Sequence, residues 1–245
     1  MRLFGLIGYP LTQSFSKKYF TEKFLKESII DAVYELFEIE NIGLLNSVLN
    51  NKNLCGFNVT IPYKKEVIPF LSSIDSEAEA IGACNCIKII DGKLKGFNTD
   101  ASAFERSLLP LLKLHHKNAL ILGTGGASNA VSFVLKKLGI DYKFVSRTEK
   151  PDSYTYEQLN RNIIEDNTLI INTTPLGSFP KVENAPQLPY EYLTPIHYLY
   201  DLVYNPPVTL FLQKGWERGA AIKNGYEMLV GQAELSWQIW NTDSY

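Results

Sequence analysis

The sequence predicts an α/β fold in two domains, and three observations carry that prediction. Apolar strand-like runs alternate with helical patterns over the first hundred residues; the alternation resumes beyond residue 118; and a glycine-rich turn follows directly on an apolar run there. The length of 245 residues corresponds to roughly 1.6 domains at about 150 residues each. With 45% hydrophobic and 20% charged residues, the chain has the composition of a globular protein with a sizeable core.

Residues 3–8 form a short apolar run that meets Pro10 with no small-residue cleavage site behind it, so they read as a buried strand and not as a leader. An amphipathic helix is expected at 17–28 and strands at 33–37 and 56–61. Between the strands, residues 42–49 place Leu44, Leu45, Val48 and Leu49 on one helical face. Residues 86–90 and 93–97 flank Asp91-Gly92, the signature of a β-hairpin. A helical stretch at 101–114 follows. Then come a strand at 118–122, a helix at 127–138 with Gly139 as its C-cap, a strand at 142–146, a helix at 156–162 and a strand at 168–172. A strand at 197–203 ends before Asn205-Pro206-Pro207. A helix at 208–218, a short strand at 220–223 and an amphipathic helix at 228–240 complete the order. Such alternation predicts a parallel, doubly wound sheet. Residues 118–135 lack charge, but Gly123, Gly125, Gly126, Ser128 and Asn129 make them a poor lipid-facing helix.

The balance of 24 Lys+Arg against 26 Asp+Glu gives a formal charge of -2, so no global field draws the chain to nucleic acid or an anionic membrane. Three cysteines (Cys55, Cys84, Cys86) and three histidines (His115, His116, His197) supply neither a disulfide framework nor a metal site. Cys84-x-Cys86 is too short a spacing for a redox motif, and free thiols fit a soluble, cytoplasmic protein. The adjacent His115-His116 reads as a surface pair. Proton chemistry therefore falls to lysine, tyrosine or carboxylate. Tyr19-x-x-x-Lys23 superficially suits a short-chain dehydrogenase, but it precedes the glycine turn by about a hundred residues and reads as one turn of an amphipathic helix.

The glycine turn is the first chemical signal. Gly123 permits a tight turn, Gly125 lets backbone approach a pyrophosphate, and the helix opening at Ala127 presents unpaired N–H groups to it. Ser128 replaces the third glycine of the dinucleotide fingerprint. About 20 residues further on, where a site for NAD places a carboxylate, the chain reads Ser146-Arg147-Thr148, with Lys150 beyond. Arg147 suits a 2′-phosphate, so NADP is favoured over NAD, although Glu149 lies in the same stretch.

The second signal supplies acid–base groups. In Gly56-Phe57-Asn58-Val59-Thr60-Ile61-Pro62-Tyr63-Lys64, a strand delivers Asn58 and Thr60 to one face and Lys64 just past its end. Asn98-Thr99-Asp100 closes the hairpin with a carboxylate before a helix. Alone, Asp100 reads as an N-cap and Lys64 as a solvated lysine. With the dinucleotide turn they suggest a lysine proton donor partnered by an aspartate.

At these residues the chain resembles the shikimate dehydrogenase family over nearly its whole length. The segment from Gly8 to Ser16 resembles the family's serine pair for the substrate carboxylate, implying Ser14 and Ser16. Asn58 to Lys64 matches the segment with a substrate-binding threonine, Thr60, and the catalytic lysine, Lys64. Gly82-Ala83-Cys84-Asn85 implies Asn85 as a ligand of substrate hydroxyls, and Asp100 as partner of the lysine and ligand of substrate. Gly123, Gly125, Gly126 and Ala127 resemble the pyrophosphate loop; Ser146, Arg147, Thr148 and Lys150 the 2′-phosphate clamp; Thr173 and Pro175 a cofactor-side loop. Val203, Tyr204, Gly225, Met228 and Gln232 resemble the groups that close the site around nicotinamide and substrate. Departures are Gln13 for histidine, Lys17 for proline, Cys86 for threonine, Ser146 for asparagine, Asn224 for aspartate and Glu227 for glycine.

The resemblance implies NADP-dependent reversible reduction of 3-dehydroshikimate to shikimate, in chorismate and aromatic amino acid biosynthesis, by a monomer or homodimer. It implies a substrate domain of residues 1–101 and 226–245, to which the final helix returns, and a Rossmann-like NADP domain of residues 102–225. Two alternatives stand beside it: a quinate/shikimate dehydrogenase preferring NAD, and a catalytically silent NADP-binding regulatory module.

Overall fold

Two six-stranded sheets organise the chain. They belong to separate units, Met1–Thr99 with Gln232–Tyr245, and Asp100–Gly231. The computed structural model describes residues 1–11 and 14–242; Gln13 lies outside the described residues.

The first unit contains β1 (Arg2–Gly8), α1 (Phe15–Lys26), β2 (Ala32–Glu38), α2 (Leu45–Leu49), β3 (Leu54–Val59), β4 (Ser73–Ile74), α3 (Ser76–Ile81), β5 (Cys86–Ile90) and β6 (Lys93–Phe97). Its sheet runs β2-β1-β3-β5-β6-β4, with β1 parallel to β2 and β3, and β5 antiparallel to β3 and β6. Alternate side chains on β1 enter different cores. Phe4 and Leu6 pack with Phe20, Phe24, Tyr34 and Trp240, whereas Ile7 joins Leu45, Val48, Phe57 and Val59. Asp91 (φ 50) and Gly92 (φ 73) form the expected hairpin turn.

The second unit contains most of α4 (Thr99–Leu108), then β7 (Asn118–Leu122), α5 (Gly126–Lys137), β8 (Asp141–Ser146), β9 (Ser153–Thr155), α6 (Arg161–Asp166), β10 (Leu169–Asn172), β11 (Tyr198–Asp201), α7 (Leu210–Trp216) and β12 (Ala221–Lys223). It ends with the first turns of α8 (Tyr226–Asn241). All pairings are parallel, in the order β12-β11-β10-β7-β8-β9. Numbered within this unit, that is the strand order of a dinucleotide-binding fold, with the switch point between β7 and β10.

Several elements differ from expectation for local reasons. The helix expected at 156–162 is a 3-10 turn, Tyr156–Gln158, followed by α6; Thr155 and Gln158 close the turn as a capping box, and Asn160 caps a new helix at the Ile163 N–H. Strand β11 stops at Asp201, whose carboxylate accepts from the Val203 N–H and turns the chain out of the sheet. Strand β3 ends at Val59, although the Thr60 N–H still bonds the Ile7 carbonyl (2.9 Å). Helix α4 begins at Thr99, so Asp100 lies in its first turn and is not an N-cap. Leu138 caps α5, and Gly139 follows in the left-handed region (φ 68). β4, α3 and β9 are too short to show a period.

His116 corrects the surface reading of the histidine pair. It is 4% exposed; its Nδ1 accepts from the Lys113 N–H (2.9 Å) and its Nε2 lies 3.1 Å from the Ile196 carbonyl. Tyr19 and Lys23 are structural: Lys23 Nζ bridges Glu27 (2.8 Å) and Glu234 (2.9 Å), and Tyr19 donates to Glu234, tying α1 to α8. Among the described residues, no helix is long and apolar enough to cross a membrane.

Candidate active site

In the first unit, one sheet edge gathers the proposed substrate groups. β1 and β3 are adjacent and parallel, so their carboxyl ends lie side by side. β5 is antiparallel to β3 and β6 antiparallel to β5, which brings the start of β5 and the end of β6 to the same edge. The segments after β1 and β3, before β5 and after β6 carry Ser14 and Ser16, Thr60 and Lys64, Asn85, and Thr99 respectively.

Local bonds fix each segment. A Cβ on Gly8 would fall 2.4 Å from Thr60 Cγ2, so glycine is what lets Thr60 lie against β1. The turn carrying Lys64 is anchored by buried Tyr63, whose hydroxyl donates to the Ile39 carbonyl (2.6 Å). The Lys64 carbonyl accepts from the Cys84 N–H (2.8 Å), next to Asn85. Asn98 Nδ2 donates to the Ala83 carbonyl (2.9 Å), holding the same loop from the other side. Lys64 and Thr60 are half-buried, and Asn85 is buried.

Behind these groups lies a polar network that joins predicted site residues to Tyr34, Thr99 and Ser236, to which the sequence motifs assigned no role. Ser14 Oγ caps α1 at the Lys17 N–H (3.5 Å), and burial pushes the Tyr34 phenol well above its usual range, with the Ser16 side chain pulling the other way. The Tyr34 hydroxyl donates to Asn58 Oδ1 (2.9 Å). Asn85 turns its amide to Thr99, donating to Oγ1 (2.9 Å) and accepting from the N–H (2.7 Å). The available signal was a polar residue inside an otherwise apolar strand or helix face, as with Asn58 in β3 and Ser236 in α8.

The second unit places the glycine turn at the switch point. Gly123 adopts φ 102, and its N–H donates to the Val145 carbonyl (2.8 Å). Thr173 binds the Leu122 carbonyl through both N–H (3.0 Å) and hydroxyl (2.7 Å). A Cβ on Gly125 or Gly126 would meet nothing within 4 Å, so the amino end of the 12-residue α5 is open to a ligand. The helix begins at Gly126, one residue before the expected start; half-buried Ala127 lies in its first turn, and buried Ser128 donates to the Gly125 carbonyl (2.6 Å). At the end of β8, Ser146 Oγ accepts from the Thr148 N–H (3.3 Å), Arg147 is exposed, and Lys150 Nζ reaches Thr124 Oγ1 (2.8 Å). Cationic clamp and glycine turn therefore adjoin. This donor set fits a dinucleotide: N–H groups and helix dipole for the pyrophosphate, guanidinium and ammonium for a 2′-phosphate.

The other predicted cofactor residues lie in the same unit. Pro175 is exposed on the loop after β10. Gly225 donates to the Val203 carbonyl (3.2 Å), and a Cβ there would come within 2.1 Å of the Leu202 carbonyl oxygen, so no side chain fits. Met228 is buried in the first turn of α8, Tyr204 is half-buried, and burial raises the Tyr204 phenol. Asp100 is buried in the first turn of α4.

Known proteins resemble this chain in sequence and fold. Residues 6–87 match the model of the shikimate dehydrogenase substrate binding domain. A shikimate dehydrogenase (NADP(+)) of Clostridium beijerinckii is 39% identical, covering 98% of this chain and 92% of the relative. One from Methanococcus maripaludis is 38% identical, covering 98% and 91%. The crystal structure of shikimate 5-dehydrogenase from Thermus thermophilus in complex with NADP(H) and shikimate superposes with a TM-score of 0.85 at 27% identity, covering 98% of this chain and 94% of that one.

Proposed function

The chain belongs to the shikimate dehydrogenase family, and from that premise we propose that it catalyses the reversible, NADP-dependent reduction of 3-dehydroshikimate to shikimate with Lys64 as its acid–base group. The observation that carries the reading is the gathering of Lys64, Thr60, Asn85 and the Ser14–Ser16 segment on one edge of the first sheet, fixed by the Lys64–Cys84 and Asn98–Ala83 bonds.

When bound, the reduced cofactor supplies a hydride to the ring carbonyl carbon. Lys64 donates a proton to the carbonyl oxygen as it becomes a hydroxyl, and in the oxidation direction takes that proton back. Asp100 binds substrate and shares the proton network of Lys64. Ser14 and Ser16 bind the substrate carboxylate; Thr60, Asn85, Tyr204 and Gln232 bind its hydroxyls. Neutral donors of this kind reject an analogue lacking a hydroxyl, because their own polar groups are then left unpaired.

On the cofactor side, Gly123, Gly125, Gly126 and Ala127 cradle the pyrophosphate, and Ser146, Arg147, Thr148 and Lys150 take the 2′-phosphate. Thr173, Pro175, Val203, Gly225 and Met228 line the nicotinamide. The reaction belongs to chorismate and aromatic amino acid biosynthesis, and we infer that the protein serves it in the cytoplasm as a monomer or homodimer. Reduction of NADP by the purified protein with shikimate, beside quinate as a control, tests the reading.

A further inference from the structure

Within the first unit, one hydroxyl joins three segments that carry proposed substrate groups. Ser236, on the part of α8 that belongs to this unit, is fully buried. Its Oγ donates to the Gln232 carbonyl (2.8 Å), accepts from Asn58 Nδ2 (2.8 Å) and lies 3.3 Å from Thr99 Oγ1. A hydroxyl offers one proton and two lone pairs. With the proton on the Gln232 carbonyl, the lone pairs serve Asn58 and Thr99, and its capacity is used up.

Each partner leads to a substrate group. Asn58 Nδ2 also donates to the Asn85 carbonyl (3.1 Å), while its Oδ1 accepts from the Tyr34 hydroxyl (2.9 Å). Thr99 fixes both ends of the Asn85 amide. Gln232 is itself a proposed ligand, one helical turn before Ser236. Asn58, Asn85 and Thr99 are 4%, 3% and 2% exposed, so water has little access to replace a missing bond.

We propose that Ser236 is a positioning residue for substrate recognition. It holds Asn85 (through Asn58 and Thr99) and Gln232 in one mutual arrangement. An alanine at 236 would leave one N–H of the Asn58 amide short of an acceptor in a dry interior, where a buried unmet donor is costly, and would leave the Thr99 hydroxyl only Asn85 Oδ1, 3.3 Å away, as its acceptor. Asn58 and Thr99, the two groups that hold Asn85, would then each lose one restraint. The proposal rests on the substrate roles of Asn85 and Gln232 given above.

The test measures steady-state kinetics and thermal melting for Ser236→Ala and, independently, Tyr34→Phe, which removes the bond on the far side of Asn58. Each is expected to raise the KM for shikimate by about tenfold and leave the KM for NADP unchanged. The double variant should fall short of the product of the two effects, as members of one network do. A purely structural serine would lower the melting temperature and the active fraction at unchanged KM, and that result overturns the proposal. If Ser236→Ala fails to fold, Tyr34→Phe decides alone, with an unchanged shikimate KM counting against it. Unchanged constants in both variants of an active enzyme overturn the positioning role only. A wild-type protein that does not oxidise shikimate overturns the functional reading and this proposal with it.

Discussion

Asn172 and Asp201, at the carboxyl ends of neighbouring strands β10 and β11, hold each other's side chains: Asn172 Nδ2 donates to Asp201 Oδ1 at 2.9 Å, and both residues are fully buried. The same Oδ1 accepts from the Val203 N–H (3.0 Å), and Oδ2 accepts from the Thr209 hydroxyl (2.6 Å). On its other side, Asn172 Oδ1 accepts from the Thr174 N–H (3.0 Å) and hydroxyl (2.6 Å). One pair thereby sets the loop carrying Thr173 and Pro175, the turn carrying Val203 and Tyr204, and the amino end of α7.

Burial pushes the Asp201 carboxyl up to about 7, against three hydrogen bonds that pull it down. Below its ordinary value of 3.8 the group is neutral whether the chain is folded or not. Between there and about 7 the unfolded chain gives up this proton and the folded chain keeps it, so stability falls as pH rises, by about 4 kcal/mol in all. Above that window the contribution is flat. Asp201→Asn keeps an acceptor for Asn172 and Val203 and does not titrate. Denaturant melts at pH values across the window should show this slope in wild type and its absence in the variant; equal slopes would contradict the assignment.

His116 contributes in the opposite direction. Burial lowers its pKa from 6.5, and its Nδ1 accepts a backbone N–H, so the folded chain requires neutral imidazole. As pH falls below 6.5 the unfolded chain binds the proton first, and stability is lost. His116→Gln should be less stable near neutrality yet lose less on acidification. A variant with the wild-type acid loss would show that this histidine is not the source.

Lys64→Ala should lower kcat by about a hundredfold to ten-thousandfold, the range for removing a positioned acid–base group, while the KM for shikimate moves far less. A kcat near wild type would remove Lys64 from the proton step.

For Arg147→Ala, the KM for NADP should rise by about tenfold to a hundredfold, the loss of a charge-assisted contact, with the KM for NAD unchanged. A parallel rise for both cofactors would mean that Arg147 does not read the 2′-phosphate.

What the sequence made legible follows from local chemistry. Glycines at 123 and 125 mark a left-handed turn and a helix start, and Asp91-Gly92 marks the hairpin. Neither depends on distant partners, and both are present. The position of Lys64 just past a strand was legible from the apolar run before it. The buried polar groups were not, since their partners come from far along the chain: 29 residues for Asp201 with Asn172, 80 for His116 with Ile196 and 178 for Asn58 with Ser236. A polar side chain in an apolar pattern looks solvated until the fold supplies its partner. The helix misplaced at 156–162 failed for a different reason, because the capping box at Thr155 and Gln158 and the cap at Asn160 outweigh the apolar periodicity.

The most direct test is the initial rate of nicotinamide reduction by the wild-type protein with shikimate or quinate, each with NADP or NAD. Rapid turnover with shikimate and NADP, and much lower kcat/KM for the other three pairs, is the predicted result. NADP binding without turnover of shikimate, or preferential use of quinate with NAD, would contradict it.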